Sequence, residues 1–225
     1  WETNLFADKE LVDVIRNANM QFFMDSLEIE NSNGTRSMYW SKDMTKEFQD
    51  RKGYDIRPYL PLFIGISAGT CFAGVTDDVD AQKVGGYVLG DTDTQDGKQL
   101  TWKILNDFYD VQTQLIREKM MVPLKTWAQE NYNMKLRSQN FYGTYLEISE
   151  MALATDYTET ETLNMKDQTD MYRLWSGGSH IMNQLYSSET GAIGSMNYAL
   201  SEQDYLRMSY NQFAAGVNRI IWHGH

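Results

Sequence analysis

The sequence predicts an α/β fold: a partial (β/α)8 TIM-type barrel, with parallel strands and crossover helices, forming a fragment of a larger multidomain protein. Three observations carry this expectation. Strand-like and helix-like segments alternate through the second half of the chain. No glycine-rich phosphate loop follows a strand, which disfavours a doubly wound sheet. The ends of the strand-like segments carry acids, amides and histidines, as expected where barrel strands converge on one mouth.

The elements follow in order. Leu11, Val12, Val14, Ile15 and Ala18 recur at helical spacing, and the run from Phe22 to Glu28 alternates as a strand does. Asn31 to Gly34 is a turn cluster. Ser41 is placed to cap a helix running through Met44 and Phe48 toward Gly53, after which Pro58 and Pro61 break regularity. Residues 66–99 are rich in Gly and Asp and read as a loop or insertion; 91-DTDTQDG-97 within them lacks the acid spacing of a calcium loop. A long amphipathic helix is expected from Leu100 to near Asn131, kinked at Pro123. Beyond it the pattern predicts strands over 134–139, 157–161, 185–189 and 217–222. Between them it predicts helices over 146–154, 167–182 and 201–215, the last capped by Ser201. Five strands where a barrel needs eight make residues 1–225 a single catalytic-barrel fragment, and the abrupt start at Trp1 and stop at 219-RIIWHGH-225 agree with that.

Composition limits the partners. The chain has 225 residues, 42% of them hydrophobic and 13% aromatic, which is ample for a packed core. A formal charge of -11 would repel nucleic acid and anionic membranes, so an uncharged ligand fits better. No apolar run is long enough to span a membrane, and no basic-then-apolar leader stands at the N-terminus. Cys71 is the only cysteine, so no disulfide closes within the chain.

An acid directly after an apolar strand is costly unless it meets a partner, a metal or a wet cleft. Glu28 follows 21-QFFMDSL-27 in this way, and Glu159, Glu161 and Glu189 stand at later strand ends, 159 and 161 on one face. Barrel topology would gather them in one pocket, and glycoside hydrolysis needs two such carboxyls, one protonating the leaving oxygen and one activating water or attacking carbon. Glu28, Glu161 and Glu189 are the catalytic candidates, with Glu28 or Glu161 as acid and Glu189 as base, and Glu159 beside them. Tyr142, Trp175 and Trp222 are candidate ring faces for a sugar, while Glu159, Gln139, Asn140, His223 and His225 are candidate partners for its hydroxyls. Glu30 reads as a surface residue and His180 as a packing residue. Two other readings stand beside the glycosidase: a metal-dependent hydrolase using His223 and His225, and a non-catalytic carbohydrate-binding barrel.

The segments 22-FFMDSLEIE-30, 53-GYDIRPYLP-61, 156-DYTETETL-163, 176-SGGSHIM-182, 187-SSETG-191 and 214-AAGVNRIIWHGH-225 resemble, in order, the landmarks of the inverting α-L-rhamnosidases of glycoside hydrolase family 106. Thr158 and Thr160 depart from the family pattern, which has a Pro and a Gly around its paired glutamates. The resemblance implies a barrel beside β-sandwich domains, which would be the remaining domains of the same polypeptide. It implies a plant or bacterial oligosaccharide or polysaccharide as substrate, and an extracellular or periplasmic location. It also implies calcium near the sugar hydroxyls, for which Glu28, Glu159 and Glu161 are the candidate ligands.

Overall fold

A computed structural model describes residues 2–4, 6–27, 40–63, 95–140, 146–165, 168–193 and 199–223. The chain divides into two compact units, one of Trp1–Leu27, Ile116–Asn140 and Ile148–His225, the other of Glu28–Leu115 and Phe141–Glu147. The sequence treats residues 1–225 as a single barrel fragment; no sequence signal marks the second unit as compact in its own right.

The first unit is built on a sheet of five parallel strands in sequential order: β1 (Gln21–Met24), β2 (Lys135–Ser138), β3 (Tyr157–Glu161), β4 (Leu185–Thr190) and β5 (Arg219–Trp222). Parallel neighbours need crossovers. Helices α5 (Ile148–Leu153), α7 (Thr169–Ile181) and α8 (Glu202–Ala214) supply them between the later strands. A short α6 (Thr162–Met165) also follows β3, four residues too few for periodicity to reveal. Ser201 caps α8 as expected, in a capping box with Asp204.

The sheet is curled. Neighbouring strands stand about 4.8 Å apart, so the outer two of a flat five-stranded sheet would be roughly 19 Å apart, beyond the reach of a glutamine and an arginine. Yet Arg219 Nη1 donates to Gln21 Oε1 at 3.2 Å, joining β5 to β1. Gln21 and Arg219 therefore lie on a concave face, and the helices cover the convex one. On that convex side Tyr186 donates its hydroxyl to the Tyr172 carbonyl of α7, and Thr190 donates to Gln212 of α8.

Helix α1 (Lys9–Asn17), capped by Asp8, packs Ile15 against Ala128 and Tyr132 of α4 (Val122–Tyr132), with Phe22 and Trp127 beside them. Asn133 takes a left-handed conformation to end α4 and turn the chain into β2. Between α3 (Gln95–Ile116) and α4 lies a five-residue π-helical stretch, Arg117–Met121. Pro123 was expected to kink the helix. Its missing N–H and its clash with the carbonyl four residues back both fall on this stretch, where the bonding pattern is already changed.

In the second unit, α2 (Met44–Lys52) and α3 meet around Phe48, Ile56, Leu62, Ile104 and Phe108, all at most 3% exposed. Burying each such side chain contributes about 1.5–3 kcal/mol. The N-cap of α2 is Asp43, not Ser41: the Ser41 carbonyl accepts from Met44 N, forming a turn ahead of the helix. Gly53, at φ 80, ends the helix, and residues Arg57–Phe63 form a 3₁₀ segment around the two prolines. Lys52 is ion-paired with Asp110 and, at 3.5 Å, with Asp107, to which Tyr54 also donates at 2.8 Å; burial pushes the Tyr54 phenol well above its ordinary range. Most of the expected loop at 66–99 lies outside the described residues, but its end is helical, since α3 begins at Gln95.

Two adjacent glycines in α7 separate packing from propensity. A Cβ on Gly178 would stand 2.7 Å from Ala152 Cβ and 3.1 Å from the Ser149 carbonyl, so α7 and α5 touch there through the missing side chain, whereas a Cβ on Gly177 meets nothing within 4 Å. Gly178→Ala is expected to destabilise by about 1–3 kcal/mol through overpacking. Gly177→Ala is expected to stabilise by about 0.5–1 kcal/mol through helix propensity. Urea unfolding of the two variants measures both.

Candidate active site on the concave face

Paired residues of a parallel ladder point to the same side of the sheet. Phe23 pairs with Arg137, Arg137 with Tyr157, Glu159 with Ser187, Ser187 with Arg219, and Glu161 with Glu189. With the period of two along each strand, this places Arg137, Gln139, Glu159, Glu161, Ser187 and Glu189 on the concave face with Gln21 and Arg219. Polar groups therefore occupy the inner side of the sheet at and below the C-terminal strand ends.

Glu159 is the most buried of the acids, 1% exposed. Arg137 Nη1 stands 2.6 Å from its Oε2, the Ser187 hydroxyl donates to the same oxygen at 2.5 Å, and Gln139 Nε2 lies 3.4 Å from Oε1. Burial pushes the Glu159 carboxyl above the ordinary glutamate range; the Ser187 bond, the Arg137 charge and the Gln139 bond oppose this, and the charge of Glu189 adds to it. The Arg137 guanidinium lies over the Phe23 ring, 4.4 Å from its centroid, so the cation is held by an aromatic face as well as by the acid.

Glu189 is more open, its side chain 23% exposed. Gln139 Nε2 donates to its Oε2 at 2.8 Å, and His223 Nε2 lies 3.6 Å from its Oε1. His223 is placed by the backbone: its N–H bonds the Thr190 carbonyl at 2.8 Å, which extends the β4–β5 ladder by one step. Glu161 ends β3, 7% exposed, in register with Glu189. The two stand side by side on neighbouring strands, not across a mouth.

The structure thus brings together Glu159, Glu161, Glu189, Gln139 and His223. Glu28, Tyr142 and His225 lie outside the described residues. Gln139 is fully buried, its amide engaged by two carboxylates, and Asn140, 1% exposed, donates to the Met151 carbonyl of α5. Trp175 is a core residue of α7, 2% exposed, so neither ring face is open to a sugar. Trp222 is 57% exposed but points to the helix-covered side, its ring edge against Tyr205 of α8 with centroids 5.6 Å apart. Sequence reasoning missed Arg137 and Ser187. Each stands two residues before a chosen candidate, Gln139 and Glu189, and the period of two carries both inward.

Among the described residues no group of three or more His, Cys, Asp or Glu side chains could hold a metal ion. Of the three acids implied for calcium, Glu159 does not fit, because the Arg137 guanidinium already supplies the positive charge against it. Glu161 keeps a carboxyl at the strand end, and Glu28 lies outside the described residues.

Removing one member of a buried ion pair strands the other charge. Arg137→Met is expected to lower the unfolding free energy at neutral pH by about 3–5 kcal/mol, and Arg137→Met with Glu159→Leu to recover most of that loss. The loss should shrink as pH falls. A carboxyl whose folded pKa is raised binds its proton more readily in the folded state, so the penalty is fully present above that pKa and disappears below the unfolded one. Urea unfolding across pH gives both readouts.

A family model described as alpha-L-rhamnosidase, that of glycoside hydrolase family 106, matches residues 12–225. No curated protein matches the sequence. The matched span runs from α1 to the last residue and includes every strand of the sheet and every acid of the concave face. The chain belongs to the alpha-L-rhamnosidases of glycoside hydrolase family 106, and is a glycosidase.

Proposed function

We propose that the protein hydrolyses α-L-rhamnosides in plant or bacterial polysaccharide with inversion at the anomeric carbon, Glu189 acting as general base. The observation that carries this reading is the setting of Glu189. It ends a strand on the concave face, is partly open to solvent, and has one oxygen fixed by Gln139 and the other beside His223. A base must present a lone pair to water from a fixed position, and this arrangement leaves Oε1 for that purpose.

An inverting pair needs carboxyls about 6.5–9.5 Å apart to admit a water, against about 5–5.5 Å in a retaining pair. Glu161 and Glu189 are in register on neighbouring strands, whose spacing of about 4.8 Å suits the shorter gap better. The acid is therefore assigned to Glu28, the remaining candidate, and Glu161 to the sugar or to calcium. No step of the proposed reaction passes through calcium. A polysaccharide does not enter the cytoplasm intact, so the proposal places the enzyme in the extracellular or periplasmic space.

The complete fold is proposed to be a (β/α)8 barrel. The stagger of the sheet supports it. Following the ladders back from Arg219 through Ser187, Glu159 and Gln139 leads to the level of Asp25 on the first strand, yet Arg219 bonds Gln21, four residues earlier. Four residues over four strand steps is one residue per strand, the stagger of an eight-stranded barrel of shear 8.

The experiment is turnover of an aryl and an alkyl α-L-rhamnoside, with the configuration of released rhamnose followed by proton NMR. Inversion is expected. Glu189→Gln should lower kcat by about three or more orders of magnitude on both substrates with KM little changed. Glu28→Gln should spare the aryl substrate, whose leaving group needs little protonation, and not the alkyl one. Retention of configuration, or the leaving-group pattern appearing in Glu161→Gln instead, would replace this assignment with the neighbouring pair.

A further inference from the structure

We infer that Gln139 is a positioning residue: its buried amide holds the Glu189 carboxylate, with the Arg137–Glu159 ion pair as the anchor behind it. This rests on the reading of Glu189 as the base. Gln139 is 0% exposed, so its amide is not available to a sugar in this structure. One Nε2 group reaches two carboxylates, Glu189 at 2.8 Å and Glu159 at 3.4 Å. The amide cannot be reversed, because its carbonyl oxygen would then face both acids. In the observed orientation that oxygen has no hydrogen-bond partner among the described residues, a cost the two donated bonds must offset.

A neutral donor is what this position requires. An acidic side chain would add a third negative charge, and a cation would pair with Glu189 and compete with the water it activates. An apolar side chain would leave Glu159 and Glu189 facing each other with nothing between, and each charge would then raise the other's affinity for a proton. The amide avoids all three outcomes. It fixes Oε2, so the orientation of Glu189 and the direction in which Oε1 points are set by a group anchored in the sheet. Arg137 completes the chain of contacts: by neutralising Glu159, it keeps that acid from repelling Glu189 at full charge.

The test is the titration of Glu189, read apart from activity. Protein labelled with carbon-13 at glutamate carboxyls gives each acid its own titration curve, with Glu189 assigned by its absence in Glu189→Gln. In Gln139→Met, close in size but without the donor, the Glu189 pKa should rise by about one pH unit, because a hydrogen bond to the charged form is lost. The acid limb of the kcat/KM profile should move by the same amount. On that reading kcat falls about 10–100-fold while KM stays within about threefold, and in the Glu189→Gln background Gln139→Met has no further effect. Gln139→Glu, which keeps the shape, should raise the Glu189 pKa further and serves if the Met variant does not fold. An unmoved Glu189 titration in either folded variant overturns the inference. A titration that moves while the acid limb stays in place supports the positioning by Gln139 and overturns the assignment of Glu189 as base.

Discussion

A parallel sheet that curls until its first and fifth strands meet through Gln21 and Arg219 encloses its own inner face. That face cannot be lined by helices as the outer one is, and its side chains must fill or satisfy the space themselves. This chain fills it with charge. Ionised groups out of water cost several kcal/mol each unless paired and hydrogen-bonded, so the inner face is tenable only because the groups answer one another. Glu159 takes Arg137, Ser187 and Gln139, and Arg137 also takes the Phe23 ring. The same curl brings Gln139 within 2.8 Å of Glu189, two strands away. On a flat sheet those side chains would begin roughly 10 Å apart at the backbone.

Depth along the strands sorts the acids by what they can do. Glu159 is sealed at 1% exposure with a cation against it, and a carboxyl so placed can shape the field of its neighbours but cannot meet a substrate. Two residues further along β3, Glu161 reaches the strand end. On β4, Glu189 is the most open of the three. The burial that raises the Glu159 carboxyl and the openness of Glu189 are two ends of one gradient, from the body of the sheet toward its C-terminal edge. Function belongs at the wet end and rigidity at the dry one.

The sequence showed most of the first unit, because its helices and strands have strong periods and clear ends: Ser201 caps α8, and the helix expected to end near Asn131 ends at Tyr132. It misplaced the cap of α2, since Ser41 and Asp43 are both good cap residues and only the backbone geometry chooses between them. The compact second unit was invisible for a different reason. Its core joins residues such as Phe48 and Phe108, far apart in sequence, and no local pattern records which helix faces meet. At the site, Glu161 and Glu189 were legible because each closes a segment that reads as a strand, 157–161 and 185–189. Arg137 and Ser187 were not, because they sit in the body of their strands, where a polar residue looks like an outward-facing one until the curl is known. Aromatic residues were the least legible. Trp175 and Trp222 are chemically alike as sugar platforms, and only burial in the core for one and packing against Tyr205 for the other decide where each ring goes.

The arrangement also separates the contacts that hold the concave face together from the groups it presents to solvent. The costly interactions are concentrated around Glu159, which is buried and meets Arg137 Nη1 at 2.6 Å and the Ser187 hydroxyl at 2.5 Å. The row above it, Glu161, Glu189 and Ile221, inherits its geometry from below through the ladders and through the Gln139 amide. Two glutamates in register there would repel each other along a shared edge. Glu189 has one oxygen bonded by Gln139 and the other 3.6 Å from His223 Nε2, so its position is set by the amide and not by repulsion alone. A carboxylate with one oxygen bonded by a buried amide and the other partly open to solvent has a set orientation, which is what the proposed role of general base would require of its scaffold.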